Sequence, residues 1–373
     1  MIVKYLRGAA IGACTVLGLA TTAALADSAH SGHSPDAAIR ADGHAPIGVM
    51  GDHLHKRGEV MLSYRFMRME MDGSRIGTSS VSPTEIATTV PNRFFGLPMQ
   101  PPTLRIVPTD MTMDMHMFGA MYAPTDRITL MAMVPYISKS MNHLTFGGPT
   151  GPAVLGGFQT ESDGLGDIKV SALVGVMDRK TGNSHHKMHL NIGLSLPTGS
   201  ITETGRILTP MGGRPVVRLP YSMQLGSGTY DLLPGITYTG RSGAVGWGAQ
   251  ARGVLRLGDN DESYTLGNEL ALTGWISYQP QPAISFSGRI EAKTLGDIDG
   301  QDPLIVGPVQ TADPDNYGGE TINLLAGVNY VFQRGALRGH RFALEAGVPI
   351  YRDLNGPQLE TDWTVTAGWQ YAF

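Results

Sequence analysis

Residues 362–373 alternate strictly: Trp363, Val365, Ala367, Trp369, Tyr371 and Phe373 fall on one face, and Thr364, Thr366, Gly368 and Gln370 on the other. A period of two marks a strand with one apolar face. Aromatics at both ends suit a strand that runs between two membrane interfaces. The pattern recurs along the chain and predicts twelve strands, at about 58–72, 110–122, 126–140, 163–177, 186–198, 227–240, 243–258, 263–279, 283–295, 319–334, 338–351 and 362–373. Connections 123–125, 178–185, 241–242, 280–282 and 335–337 are mostly short, whereas 73–109, 141–162, 199–226, 259–262, 296–318 and 352–361 are mostly long. Short and long connections in alternation predict an all-β transmembrane antiparallel barrel of about twelve strands, with short periplasmic turns and long extracellular loops. An even number of passes leaves both termini periplasmic.

Facing follows from charge, because Arg or Lys pointing at lipid near mid-depth costs about 2–4 kcal/mol. Ile284, Phe286 and Ile290 oppose Arg289, Glu291 and Lys293, and Val245, Trp247, Leu255 and Leu257 oppose Arg252 and Arg256. The same logic turns Lys169, Glu269, Arg341 and Glu345 into the lumen. Nine charged residues, Lys169, Arg252, Arg256, Glu269, Arg289, Glu291, Lys293, Arg341 and Glu345, are therefore expected inside, as a self-neutralising network or as a filter for a permeant.

Composition narrows the picture further. Charged residues make up 16% of the chain, below the roughly 25% of soluble proteins. No apolar run beyond the N-terminus is long enough for a membrane helix. A net charge of -4 gives no basic footprint for nucleic acid. Lys4 and Arg7, an apolar stretch and Ala24-Leu25-Ala26 predict a signal peptide over 1–26. Cys14 is the one cysteine and lies inside it, so the mature chain would have no thiol chemistry. Residues 27–57 carry His30, His33, His44, His53 and His55 without apolar periodicity, and read as a periplasmic or lumenal arm before a barrel over 58–373.

Gly164-Leu165-Gly166-Asp167 leading into a strand, the stretch Gly193 to Gly199 (Gly-Leu-Ser-Leu-Pro-Thr-Gly) and the aromatic C-terminus together resemble the outer-membrane transporter-like barrels named after the meta-pathway of phenol degradation. That resemblance implies passive admission of small solutes, often hydrophobic or aromatic. Its implied surroundings are outer-membrane lipid, lipopolysaccharide and the barrel-assembly machinery. The sequence leaves the oligomeric state open, and a structural or adhesive barrel remains a further alternative.

Enzyme chemistry finds little support. Ser195 has no evident His and acidic companions. His185, His186 and His189 read as a polar turn, and Asp167 as a loop-end residue. No cofactor is required by this reading. Loop 73–109 is apolar at Phe94, Phe95, Leu97, Pro98 and Met99, which makes it a candidate plug. The methionines offer another chemistry, since most of the 19 lie between residues 50 and 141. Alternation turns Met61, Met67, Met69 and Met71 inward, and Met131 and Met133 with them. Asp114 and His116 are expected to claim the lumen of their strand, leaving Met111, Met113, Met115 and Met117 to lipid. Thioethers and imidazoles suit copper, so this set, with His53 and His55 at its entrance, is a candidate copper ladder.

Overall fold

The computed structural model describes residues 39–373. The expected signal peptide and residues 27–38 of the arm lie outside the described residues. The wall is built from β1 (Val60–Gly77), β2 (Ile106–Thr125), β3 (Ile128–Phe146), β4 (Ile168–Thr181), β5 (Ser184–Leu196), β6 (Tyr230–Ser242), β7 (Val245–Leu257), β8 (Glu269–Gln281), β9 (Ile284–Leu295), β10 (Gly319–Val331) and β11 (Arg341–Ala372). Each pairs antiparallel with the next, and β11 closes the ring on β1. β11 supplies two passes: residues 341–354 pair with β10, and 354–372 pair with β1. It reverses near Gly356, whose φ of 62° favours a residue without a Cβ. Twelve passes therefore close an all-β barrel. A closed ring leaves no strand edge unpaired, as a lipid environment requires.

The outer face is apolar over the belt that meets lipid. Leu62, Phe118, Leu130, Ile192, Leu272, Ile276 and Leu344 are exposed there, with Trp363 near one rim. The wall stands taller than a membrane on the β1–β3 side, where strands run 18 to 20 residues against the 9–11 needed to cross. Above the belt the outer face turns polar. Arg68 pairs with Asp114 at 2.5 Å, Thr112 donates to Glu70 at 2.7 Å, and Asn142 donates to Asp110 at 2.7 Å.

The long connections are more structured than the sequence pattern suggests. Val154–Leu165 forms an additional strand that extends the wall beside β3. Pro83–Thr89 forms α1, whose first turn is capped by the Ser82 hydroxyl accepting from the Glu85 amide at 3.2 Å. The loops share an apolar core in which Phe94, Tyr221, Tyr264, Ile305 and Val309 pack together. Arg105 is fully buried beneath them and donates to the carbonyls of Ala87, Gly147, Gly148 and Gly151 at 2.8–3.1 Å. A cation spread over four carbonyls ties α1 to the β3 hairpin, since every donor lost would leave a buried charge unsatisfied.

Candidate functional site in the barrel lumen

The lumen at the end where Val60 pairs with Phe373 is filled by residues 39–58. Ile39 is held by Gln333, whose Nε2 donates to its carbonyl at 2.6 Å, and the Ala41 amide donates to the Pro282 carbonyl at 2.8 Å. From there the arm rises to an apex at residues 48–50 and returns, so that the Gly58 amide reaches the Ala123 carbonyl at 2.8 Å. Ile47 seats on Gly368, and Val49 packs with Ala45 against Trp275. Burying two such side chains contributes about 1.5–3 kcal/mol each. The remaining contacts are polar. Arg341 donates to the Ala45 carbonyl at 2.6 Å, Gln250 to that of Met50 at 2.8 Å, and His189 Nε2 to that of Gly51 at 2.8 Å. An arm without apolar periodicity is thus ordered by backbone carbonyls that meet donors on the inner wall.

The apolar residues of loop 73–109 divide between the loop core and the surface. Phe94 is buried in the loop core, whereas Phe95, Leu97 and Met99 are exposed, Met99 to 89%. Pro98 lies in the same exposed turn. Loop packing buries one aromatic, Phe94, and leaves Phe95 outside.

The charged residues assigned to the inside form compact pairs. Arg289 grips Glu345 with two donors, at 2.6 and 3.2 Å, and reaches Glu291 at 2.9 Å. Lys293 lies 3.3 Å from Glu269, Arg256 lies 2.5 Å from Asp231, and Arg252 lies 3.8 Å from Glu291. Arg341 donates to Asn329 at 2.7 Å and contacts Gln370. Lys169 is paired in register with Ser195 and Met133. Both signs are present and interleaved, six basic side chains against four acidic ones.

The opposite side is methionine. Register aligns Met61 with Met121 and Met131, Met67 with Met115, Met69 with Met113, and Met71 with Met111 and Met141. Because Arg68 and Asp114 pair outside, their neighbours Met67, Met69, Met113 and Met115 point inward. Asp114 and His116 are therefore corrected to the outer face, where His116 pairs with Tyr64 at 2.8 Å. Met111, Met113, Met115 and Met117 are corrected to the inner one. Polarity misleads at this point because β2 rises past the apolar belt, where polar side chains belong outside as well. At the loop end Met111 and Met141 pack with Leu219 and Met223. Nearer the arm, Met50, Met61, Met117, Met121, Met131 and Met133 line a cavity of about 20 Å³, together with Asp52 and Arg65. That is room for one water or one bare ion.

Beside this cavity stand four residues of the arm. The Asp52 carboxylate accepts from the Ala45 amide at 2.7 Å and from His53 Nδ1 at 2.9 Å. His55 Nδ1 lies 3.3 Å from Glu59 Oε2. Ring centroids lie 4.2 Å apart for His44 and His53, and 4.6 Å apart for His53 and His55. Burial, and then the proximity of His53, hold the His44 imidazole well below its ordinary range. Burial would raise the Asp52 carboxyl, but His53 and His44 outweigh it and leave it well below the usual carboxylate range. Hydrogen bonding from His55 is the main cause that draws Glu59 down to about 2. One ligand atom each from His44, Asp52 and His53 lies within 4.8 Å of the others, a cluster that could coordinate a metal. The sequence offers His44 only as one of five arm histidines and does not single out Asp52, because the two are eight residues apart and meet only when the arm folds back.

The other histidines separate. His185 pairs with Asp178 at 2.5 Å, His186 with Tyr238 at 2.8 Å, and His189 with the arm. Asp167 accepts from the Gly199 amide at 2.9 Å and from the Ser227 amide at 2.8 Å. It ties the motif before β4 to the loop that follows β5.

No protein-family model and no curated protein matches the chain. Among solved structures, an outer-membrane channel from Pseudomonas putida F1 is similar, with a TM-score of 0.55 and 15% identity over 87% of this chain and 99% of that one. The P. putida toluene transporter TodX aligns with a TM-score of 0.40 and 9% identity, over 86% and 91% of the two chains. A Pseudomonas aeruginosa FadL homologue aligns at 0.37 and 10%, over 84% and 89%. Together with the closed ring and its apolar belt, the first of these likenesses gives the chain the fold of an outer-membrane channel-type barrel.

Proposed function

We propose that the protein is an outer-membrane channel for passive passage of small solutes, with residues 39–58 as a displaceable gate at the periplasmic end. The observation that carries this reading is the seating of the arm. It fills the lumen, yet its polar grip is largely on backbone carbonyls, which water can satisfy equally once the arm withdraws. The inner wall carries interleaved charge on one side and is soft and apolar on the other, which suits small solutes that are partly hydrophobic or aromatic. A variant lacking residues 39–57 is expected to swell liposomes with small sugars and aromatic acids much faster than the full chain. Equal and negligible flux from both proteins in the same vesicles would overturn the gate and the channel together.

A second reading, copper handling, is favoured by the six methionines around the single-ion cavity. Thioether sulfur is a soft ligand that suits Cu(I). Arg65, which closes one side and contacts Met50, works against a cation there. Titrating the reduced protein with Cu(I) against a competing chelator, beside a variant with Met121→Leu and Met131→Leu, decides it. Equal, weak uptake by both proteins would remove the copper reading.

A further inference from the structure

The arm folds back so that His44 on its rising leg meets His53 on its descending leg, with His55 on the far side of His53. Each descending imidazole has its Nδ1 beside a carboxylate, His53 at Asp52 and His55 at Glu59. This arrangement fixes the tautomer and leaves Nε2 with its lone pair. Carboxylate-oriented imidazoles of this kind are the usual surroundings of a metal-bound histidine. The free atoms are buried: His44 Nδ1, His53 Nε2 and His55 Nε2 have no hydrogen-bond partner, and the His55 side chain is only 4% exposed. Unpartnered buried ring nitrogens are costly unless something occupies them. Three of them, on rings whose centroids follow one another at 4.2 and 4.6 Å across two legs of one segment, are difficult to explain by packing alone.

We infer that His44 and His53, with His55 alongside and Asp52 orienting, bind a divalent transition-metal ion, Cu2+ or Zn2+, which clasps the two legs and locks the arm in the lumen. Imidazole nitrogen suits both ions, and Cu2+ is expected to bind more tightly. Nearby Arg341 and Arg65 oppose a cation, while Asp52, Glu59 and Glu345 offset them. The locking role rests on the gate reading above, whereas the metal site does not.

The test uses the purified full chain in detergent. Cu2+ and Zn2+ are titrated separately against a chromophoric chelator, and trypsin cleavage at the exposed Lys56 and Arg57 is followed with and without each ion. One ion per chain is expected, with cleavage slowed when it is bound. His44→Ala and His53→Ala should each weaken binding at least about tenfold and abolish protection, and Asp52→Asn should weaken binding roughly tenfold. Heat-modifiable gel mobility shows that each variant barrel is folded. Unchanged binding in both histidine variants would overturn the site, as would a loss confined to deletion of residues 27–38. A bound ion that leaves cleavage unchanged would overturn the clasp. Solute flux through the arm-deleted barrel judges the gate independently, because that variant lacks the site.

Discussion

Gly48→Leu is expected to expel the arm from the lumen and raise solute flux toward that of the arm-deleted barrel. A Cβ at this position would overlap Glu345 Oε1 and lie 2.6 Å from Arg289 Nη2. Neither atom is the free end of a flexible side chain, since the two are bound to each other and their side chains are 2% and 5% exposed. Breaking that pair to make room would cost about 3–5 kcal/mol. Withdrawing the arm forfeits hydrogen bonds that water replaces and the burial of Ile47 and Val49, at about 1.5–3 kcal/mol each, so the two responses cost about the same and either one loosens the seat of the arm. A shift of about 3 kcal/mol changes the open fraction by roughly two orders of magnitude, at 1.4 kcal/mol per tenfold. Gly43→Leu is the control, because a Cβ there meets nothing within 4 Å. If Gly48→Leu and Gly43→Leu give the same flux and the same trypsin resistance, the apex is not what closes the lumen.

Glu345→Ala is expected to lower the unfolding free energy of the barrel by about 3 kcal/mol, at the lower end of the cost of orphaning a buried charge. Arg289 would lose two of its hydrogen bonds and keep those to Glu291 and Thr273, at 2.9 and 3.3 Å. The double variant Arg289→Met with Glu345→Leu should recover most of the loss, because removing both charges removes the desolvation cost as well. Urea unfolding in micelles reads both. A single variant that shifts stability by less than about 0.5 kcal/mol, the range of an ordinary surface change, would show that the lumenal pairs are solvated and structurally idle.

Where strands cross the apolar belt, polarity and burial alternate together. On β9, Arg289 and Glu291 point inward and Ile290 outward, in the order the alternation dictates. On β2 face assignment from polarity failed, although the alternation is equally regular. Asp114 and His116 sit above the belt, where both faces of the wall are wet and charge no longer identifies the lumen. Only pairing with Arg68 and Tyr64 decides between the two faces. The methionines are ambiguous on any hydropathy scale, and their facing had to follow from their neighbours.

The all-β barrel, its twelve passes and the short connections at one end are legible along the chain, because a strand's period of two is local and each pass repeats it. Tertiary structure alone decided what fills the lumen. The partners of the arm, Gln250, Arg341 and Gln333, stand 200 or more residues away. No local pattern records a segment held by carbonyls rather than by an apolar face. The His44, Asp52 and His53 cluster is of the same kind, since its members meet only where the arm reverses inside a ring that is itself closed by the far end of the chain.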